Sequence, residues 1–415
     1  MRTKQFTAAA SAALLASALL FGCGTQSEPL TPAVPAAELA EITVTGKEAD
    51  DAFRASQYAF ALELFRRVQA AQNDGNTMVS PYSVIEALGM TANGARGDTL
   101  AEMQQVLGGG IAQNDLNNYL YTWRMNQPDT DTCKLNTANG IWMKDADFEV
   151  KQDFLLFNTS YFGAELRKAP FNGSTVNEIN DWVSEHTDKM IPKIIDTLNP
   201  LDRMVLVNAV CFDAKWKNKY DPKRIKEGIF CDIHGFDSSV QMLYSDESEY
   251  LELDGAVGFL RDYDGPYAFV GILPPDDVTV QEWLTDLDAT DLQKMIDSRT
   301  AEEVTAGIPE FTFDTDTTLQ EILPEMGMPA AFTPEADFSG ISDTELHIGE
   351  VIHKTHIELD ADGTKAAAAT AVTLQRNGDI APDTKKAVIL NRPFVFMILD
   401  KSNDLPVFIG TVQSL

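Results

Sequence analysis

Five histidines, His186, His234, His347, His353 and His356, are all the imidazole this chain has, and three of them fall in LHIGEVIHKTH. With Glu350 that run holds the donor types of a zinc site. A strand through it puts His353 and His356 on opposite faces. They cannot then share one ion, and a semi-buried, hydrogen-bonded histidine is the better reading; no metal and no cofactor is expected. The 63 carboxylates offer many acid–base pairs, but glycosidase chemistry depends on a separation that sequence does not fix. A solvated acidic surface accounts for them. A G-x-S-x-G elbow, a G-x-x-x-x-G-K-[ST] phosphate loop and an H-E-x-x-H motif are all missing. Cys133, Cys211 and Cys231 are odd in number and lack CxxC spacing, so buried free thiols are expected rather than disulfides or zinc ligands. Enzyme chemistry has no specific support.

At 415 residues, 44% apolar and 23% charged, the chain suits one large folded domain or two ordinary ones. A net charge of -31 opposes contact with nucleic acid or an anionic membrane surface. The N-terminus reads as a targeting segment. Arg2 and Lys4 precede AAASAALLASALLF, a run too short and small-residued for a comfortable spanning helix. It closes on LFGC, Leu20 to Cys23, which resembles the bacterial lipoprotein signal, whose cysteine is lipidated and becomes the mature N-terminus. Residues 1–22 are then the signal peptide. Residues 23–51, with Pro29, Pro32 and Pro35, form an extended tether. The expected location is a bacterial cell surface, with the lipid on Cys23 as the one membrane attachment.

From Ala52, AFRASQYAFALELFRRVQAA carries apolar residues at helical spacing. A break at Gly75 and a turn at Ser80-Pro81 lead into a small-residue helix that Ser80 or Ser83 is placed to cap. FEVKQDFLLFNTSYFG and VNEINDWVSEHTDKM read as further helices, NTANGIWMK as a strand, and RMVLVNAVCF as a strand buried on both faces. QMLYSDESEYLEL, YAFVGILPP, PFVFMILD and LPVFIGTV continue the strand pattern. With no repeat and no mid-chain linker, the reading is one α+β domain over residues 52–415.

DGTKAAAATAVTLQRNGDIAPDTKK, Asp362 to Lys386, fits none of these patterns simply. Alanines favour helix, whereas Thr370, Val372 and Thr373 favour strand. As a strand, it puts Thr364, Ala366, Ala368, Thr370, Val372 and Leu374 on one face, all small or apolar. Small side chains enter a preformed slot without overpacking it, and Gly363 supplies a flexible pivot. The following QRNGDIAPDTKK is polar and turn-rich, an exposed loop open to proteolysis.

At this point the sequence resembles the serpins. The resemblance is carried by NTMVSPYSVIEALGMTANGARGDTLAEMQQVL, LVNAVCFDAKWKNKY, IPEFTFDTDTTLQEILPEMGM, AFTPEADFSGIS, VIHKTHIELDADGTKAAAATAV, NRPFVFMI and PVFIGTV, in order along almost the whole domain. It implies a large, mostly antiparallel central sheet with further sheets, surrounding helices and an exposed reactive centre loop at about 361–386. It also implies a monomeric inhibitor that is cut by a protease and inserts the severed loop into the sheet, carrying the acyl-enzyme across it. At about 3.3 Å per residue, roughly 14 inserted residues carry the protease about 45 Å. Residue by residue, Gly363, Thr364, Ala366, Ala367, Ala368, Ala369 and Thr370 match the hinge, with Thr364 the first side chain that must enter the sheet. Ser80, Ser83, Asn208 and His353 match the polar cluster beneath the central strands, and Trp216 the aromatic at the top of the opening. The family spacing sets cleavage at Asn377-Gly378, and a shift of one at Arg376-Asn377. Arg376 suits trypsin-like proteases and Asn377 elastase-like or subtilisin-like ones, with cysteine proteases as further targets. Lys365 stands where much of the family has Glu, which bears on rate rather than mechanism. The alternative is a non-inhibitory, binding or chaperone-like member.

Overall fold

The structure is a computed structural model that describes residues 42–364 and 386–415, apart from 73, 146, 147 and 200. Its first half is largely helical: α1 (Asp51–Gln72), β1 (Thr77–Val79), α2 (Pro81–Ala92), α3 (Gly97–Gly108), α4 (Gln113–Met125), β2 (Cys133–Lys144), α5 (Gln152–Phe162), β3 (Glu165–Ala169) and α6 (Gly173–His186). Strands then dominate, with β4 (Met204–Lys215), β5 (Ile225–Cys231), β6 (Asp237–Glu247), β7 (Glu249–Leu253), β8 (Ala256–Asp262) and β9 (Tyr267–Leu273). Two helices, α7 (Val280–Asp286) and α8 (Ala289–Asp297), precede β10 (Val304–Pro309), β11 (Phe311–Thr318) and the single turn α9 (Ile322–Glu325). The chain ends with β12 (Ile352–Leu359), β13 (Gly363–Thr364), β14 (Lys386–Ile389), β15 (Phe394–Asp400) and β16 (Leu405–Val412).

Local chemistry sets several of these boundaries. The Ser80 hydroxyl accepts from the Ser83 N–H at 3.1 Å and Pro81 opens α2, which satisfies an amide the helix itself cannot. Asn172 and Thr175 cap α6 reciprocally. Every residue of β15 and β16 is buried, as their nearly unbroken apolar runs require. β12 instead alternates buried and half-buried positions, the mark of a strand with one face on the core.

The strands form three sheets. One has the order β11-β12-β13-β4-β2-β3 and is antiparallel except at β2 and β3. The second, β1-β16-β15-β9-β8-β7, is antiparallel throughout. The third, β14-β10-β6-β5, has its edge strand β14 parallel to β10. A continuous core joins the sheets and α1 to α5, and a smaller one lies where α6 covers β2 and β4, around Trp142, Ile179, Trp182 and Val207. The expected α+β architecture is thus present, with two refinements. β4 is buried on both faces only over residues 209–212, and Cys231 is half-exposed while Cys133 and Cys211 are buried.

Candidate functional site

β12 and β4 point the same way, because each is antiparallel to the two-residue β13 between them. Among the described residues β12 pairs only with β11 and β13, and β4 only with β13 and β2. The space between them is lined by Ile357 of β12, Phe212 of β4 and Thr364 of β13, by Met78 and Phe408 from the core, and by Met190 from the segment after α6. Were β12 and β4 to part there, one strand running opposite to both could pair with each, with a hydrogen-bond ladder on each side.

The turn Asp360–Gly363 folds β13 back along β12. Asp360 N–H donates to the Gly363 carbonyl at 3.0 Å, and the Asp360 carboxylate accepts from the Asp362 and Gly363 N–H groups at 2.8 and 3.1 Å. Gly363 is needed for close approach rather than for freedom: a Cβ there would lie 2.1 Å from the Ala214 carbonyl oxygen and 2.8 Å from Lys215 Cα. Thr364 is 3% exposed and its hydroxyl meets the Tyr263 hydroxyl at 2.6 Å. Two expectations change as a result. Thr364 is already in the sheet rather than waiting to enter it, and Lys386 at the far end of the loop already belongs to β14.

Trp216 sits under this turn. Its ring stacks on Tyr263 at 4.5 Å, its Nε1–H donates to the Asp360 carbonyl at 2.8 Å and its N–H to the Asp362 carbonyl at 3.0 Å. The Arg261 guanidinium lies over Trp216 and Tyr220 and is paired with Glu247 in a nearly buried contact.

Ser80, Ser83, Asn208 and His353 form one connected group bridging β12 and β4. The Ser80 N–H donates to His353 Nε2 at 2.9 Å, its hydroxyl donates to the Val407 carbonyl at 2.9 Å, and the Ser83 hydroxyl donates to Asn208 Oδ1. Sequence reasoning missed its continuation. Asn208 Nδ2 donates to Asn139 Oδ1 at 2.8 Å, and Asn139 Nδ2 to the fully buried Glu86 at 3.2 Å. The signal was present: Glu86 follows Ser83 by three residues, on the same face of an otherwise apolar helix. Ala366, Ala367, Ala368, Ala369, Thr370, Arg376, Asn377, Gly378 and Cys23 lie outside the described residues.

A protein-family model described as Serpin (serine protease inhibitor) matches residues 55–415. The chain belongs to the serpin family. Members of this family are generally protease inhibitors rather than enzymes. An uncharacterized serpin-like protein of Thermococcus kodakarensis is 30% identical over 86% of this chain and 84% of its own. The intracellular coagulation inhibitor 2 of Tachypleus tridentatus is 31% identical over 86% and 89%. The thermophilic serpin tengpin in its native state superposes with a TM-score of 0.83 at 40% identity, covering 91% of this chain and 98% of that one. Tengpin in its latent state gives 0.79 at 38% identity, over 89% and 100%.

Two buried groups give this serpin's polar cluster opposing pH dependences. Burial pushes the His353 imidazole down to about 4, and its Nε2 is occupied by the Ser80 N–H. An unfolded histidine takes its proton near pH 6.5, so stability is full above that and falls by about 3 kcal/mol as pH drops through 4. Comparing thermal midpoints of the wild type and His353→Gln from pH 7.5 to 4 should show the wild type losing more. Glu86 goes the other way. Burial raises its carboxyl to about 7, with Arg124 and the Asn139 hydrogen bond opposing. Its contribution is complete below about 4.5 and is lost as pH rises through 7. Glu86→Gln should raise the midpoint at pH 8, reflecting up to about 3 kcal/mol, and change it little at pH 4.5.

Proposed function

We propose that this serpin is a suicide inhibitor of serine proteases, with cysteine proteases as secondary targets, which traps its target by inserting the cleaved loop between β12 and β4. The observation that carries this reading is β13. It is paired on both sides and antiparallel to both neighbours, with Thr364 facing the core. Residues 366–370, which follow it in the sequence and match the family's hinge, have small side chains that suit insertion at the same place. The Ser80, Ser83, Asn208 and His353 cluster spans the two strands that must part. Its hydrogen bonds can be exchanged rather than simply lost, which keeps the opening from leaving buried polar groups unpaired. Trp216 and Asp360 hold the turn from which the strand grows. The reactive bond in this reading is Arg376-Asn377 or Asn377-Gly378, and no group of the serpin itself does chemistry.

Incubation with trypsin-like, elastase-like and subtilisin-like proteases tests the proposal. The expected product is an SDS-stable adduct with at least one of them, its mass identifying the bond. A loop cut by every protease with no adduct would assign the protein to the non-inhibitory branch. We further propose that a lipid on Cys23 tethers the inhibitor to a bacterial surface. Cys23→Ser should then move the protein from the membrane to the soluble fraction.

A further inference from the structure

Six of the chain's 32 basic residues occupy twelve consecutive positions, Lys215, Lys217, Lys219, Lys223, Arg224 and Lys226, with Asp221 the one acid among them. The run begins at the root of the loop, since Lys215 is the strand partner of Gly363. It is also rigidly displayed. Trp216 and Tyr220 are buried while Lys215, Lys217 and Lys219 are exposed between and beside them, and Arg261 donates to the Asn218 carbonyl at 2.6 Å. Nearby acids neutralise only part of it: Lys217 pairs with Asp262 and Arg224 with Asp246. Among the described residues Lys215, Lys219, Lys223 and Lys226 make no ion pair. On a chain of net charge -31 this is a local reversal of sign next to the loop a protease must reach.

We propose that the Lys215–Lys226 segment is a docking rim for an acidic surface flanking the active site of the attacking protease. This inference rests on the protease-trap reading. An anionic protease is repelled by most of the surface and attracted only here, so encounters are oriented towards the loop. Such steering changes association rates by 10-fold or more and weakens as salt screens it.

The test uses anionic and cationic trypsin, which share specificity for arginine and differ in charge. The wild type's rate advantage over a charge-reversed variant with anionic trypsin should shrink as salt rises from about 0.05 to about 0.5 M, which shortens the screening length to a few ångströms. The double variant Lys219→Glu/Lys223→Glu should react about tenfold more slowly with anionic trypsin at low salt and faster with cationic trypsin. Equal effects on both enzymes, or none, would overturn the proposal. So would retention of the wild type on dextran sulfate that the variant loses while both trypsin rates hold, because the rim would then serve a polyanion. If neither trypsin forms an adduct, the inhibitor reading fails for that pair, and the rim is read instead from kcat/KM for loop cleavage, with the same charge asymmetry expected.

Discussion

Thr364→Arg is expected to turn the proposed inhibitor into a substrate. Thr364 is buried against Tyr263 and, in the proposed insertion, is the first inward side chain of the strand that grows from β13. Placing a guanidinium there without a carboxylate partner costs about 3–5 kcal/mol. The native variant escapes that cost by withdrawing residue 364 from the sheet, so insertion has to meet it, and the step slows at least about 100-fold. Cleavage near Arg376 involves a different part of the loop and should proceed at its usual rate. The reaction then partitions towards deacylation, and the moles of serpin consumed per mole of protease inhibited should rise at least about tenfold. Titration of active protease against serpin measures this directly. Thr364→Ser, which keeps the hydroxyl within reach of Tyr263, should retain trapping. If Thr364→Arg traps at wild-type stoichiometry, the inward face has been misassigned.

Trp216→Ala is expected to have the largest effect on stability. It removes a buried ring stacked on Tyr263, the hydrogen bond to the Asp360 carbonyl, and the aromatic face under Arg261. Truncations of this kind cost about 3–5 kcal/mol, which for a chain of this size lowers the thermal midpoint by roughly 4–7 °C. Arg261 and Glu247 would remain with a cavity beside them. Trp216→Phe keeps most of the stacking but not the donor to Asp360 and should lose only about 1 kcal/mol. Thermal denaturation of the two variants separates packing from the hydrogen bond. Equal losses would show that the bond to the turn, rather than the ring, dominates.

The long elements were legible in the sequence because their apolar periodicity is strong: α1, β15 and β16 lie where their patterns put them, and α6 begins three residues before its pattern and ends four residues short of it. β1 was not, since three residues carry no period, and only pairing with β16 makes them a strand. The cluster residues Ser80, Ser83, Asn208 and His353 were found through family motifs rather than through any local property. Their connection by hydrogen bonds is a tertiary fact, visible only once α2, β4 and β12 meet. Glu86 and Asn139 show the limit from the other side. Glu86 interrupts a largely apolar run, a sign of a buried polar partner, whereas Asn139 lies in the mixed stretch LNTANG, and neither sequence position names the other. Thr364 was assigned to the correct face by simple alternation, whereas its placement inside the sheet depends on the Asp360–Gly363 turn and on contacts with Tyr263 and Trp216. Such contacts join residues more than a hundred positions apart.

The most direct test of strand insertion is the thermal midpoint before and after a single cut in the loop at residues 376–378, with the fragments left together. Continuing β13 between β12 and β4 adds two hydrogen-bond ladders and buries a row of small apolar side chains. A gain of this kind predicts a higher midpoint in the cut protein. A midpoint that stays the same or falls on cleavage would contradict insertion, and with it the proposed trap.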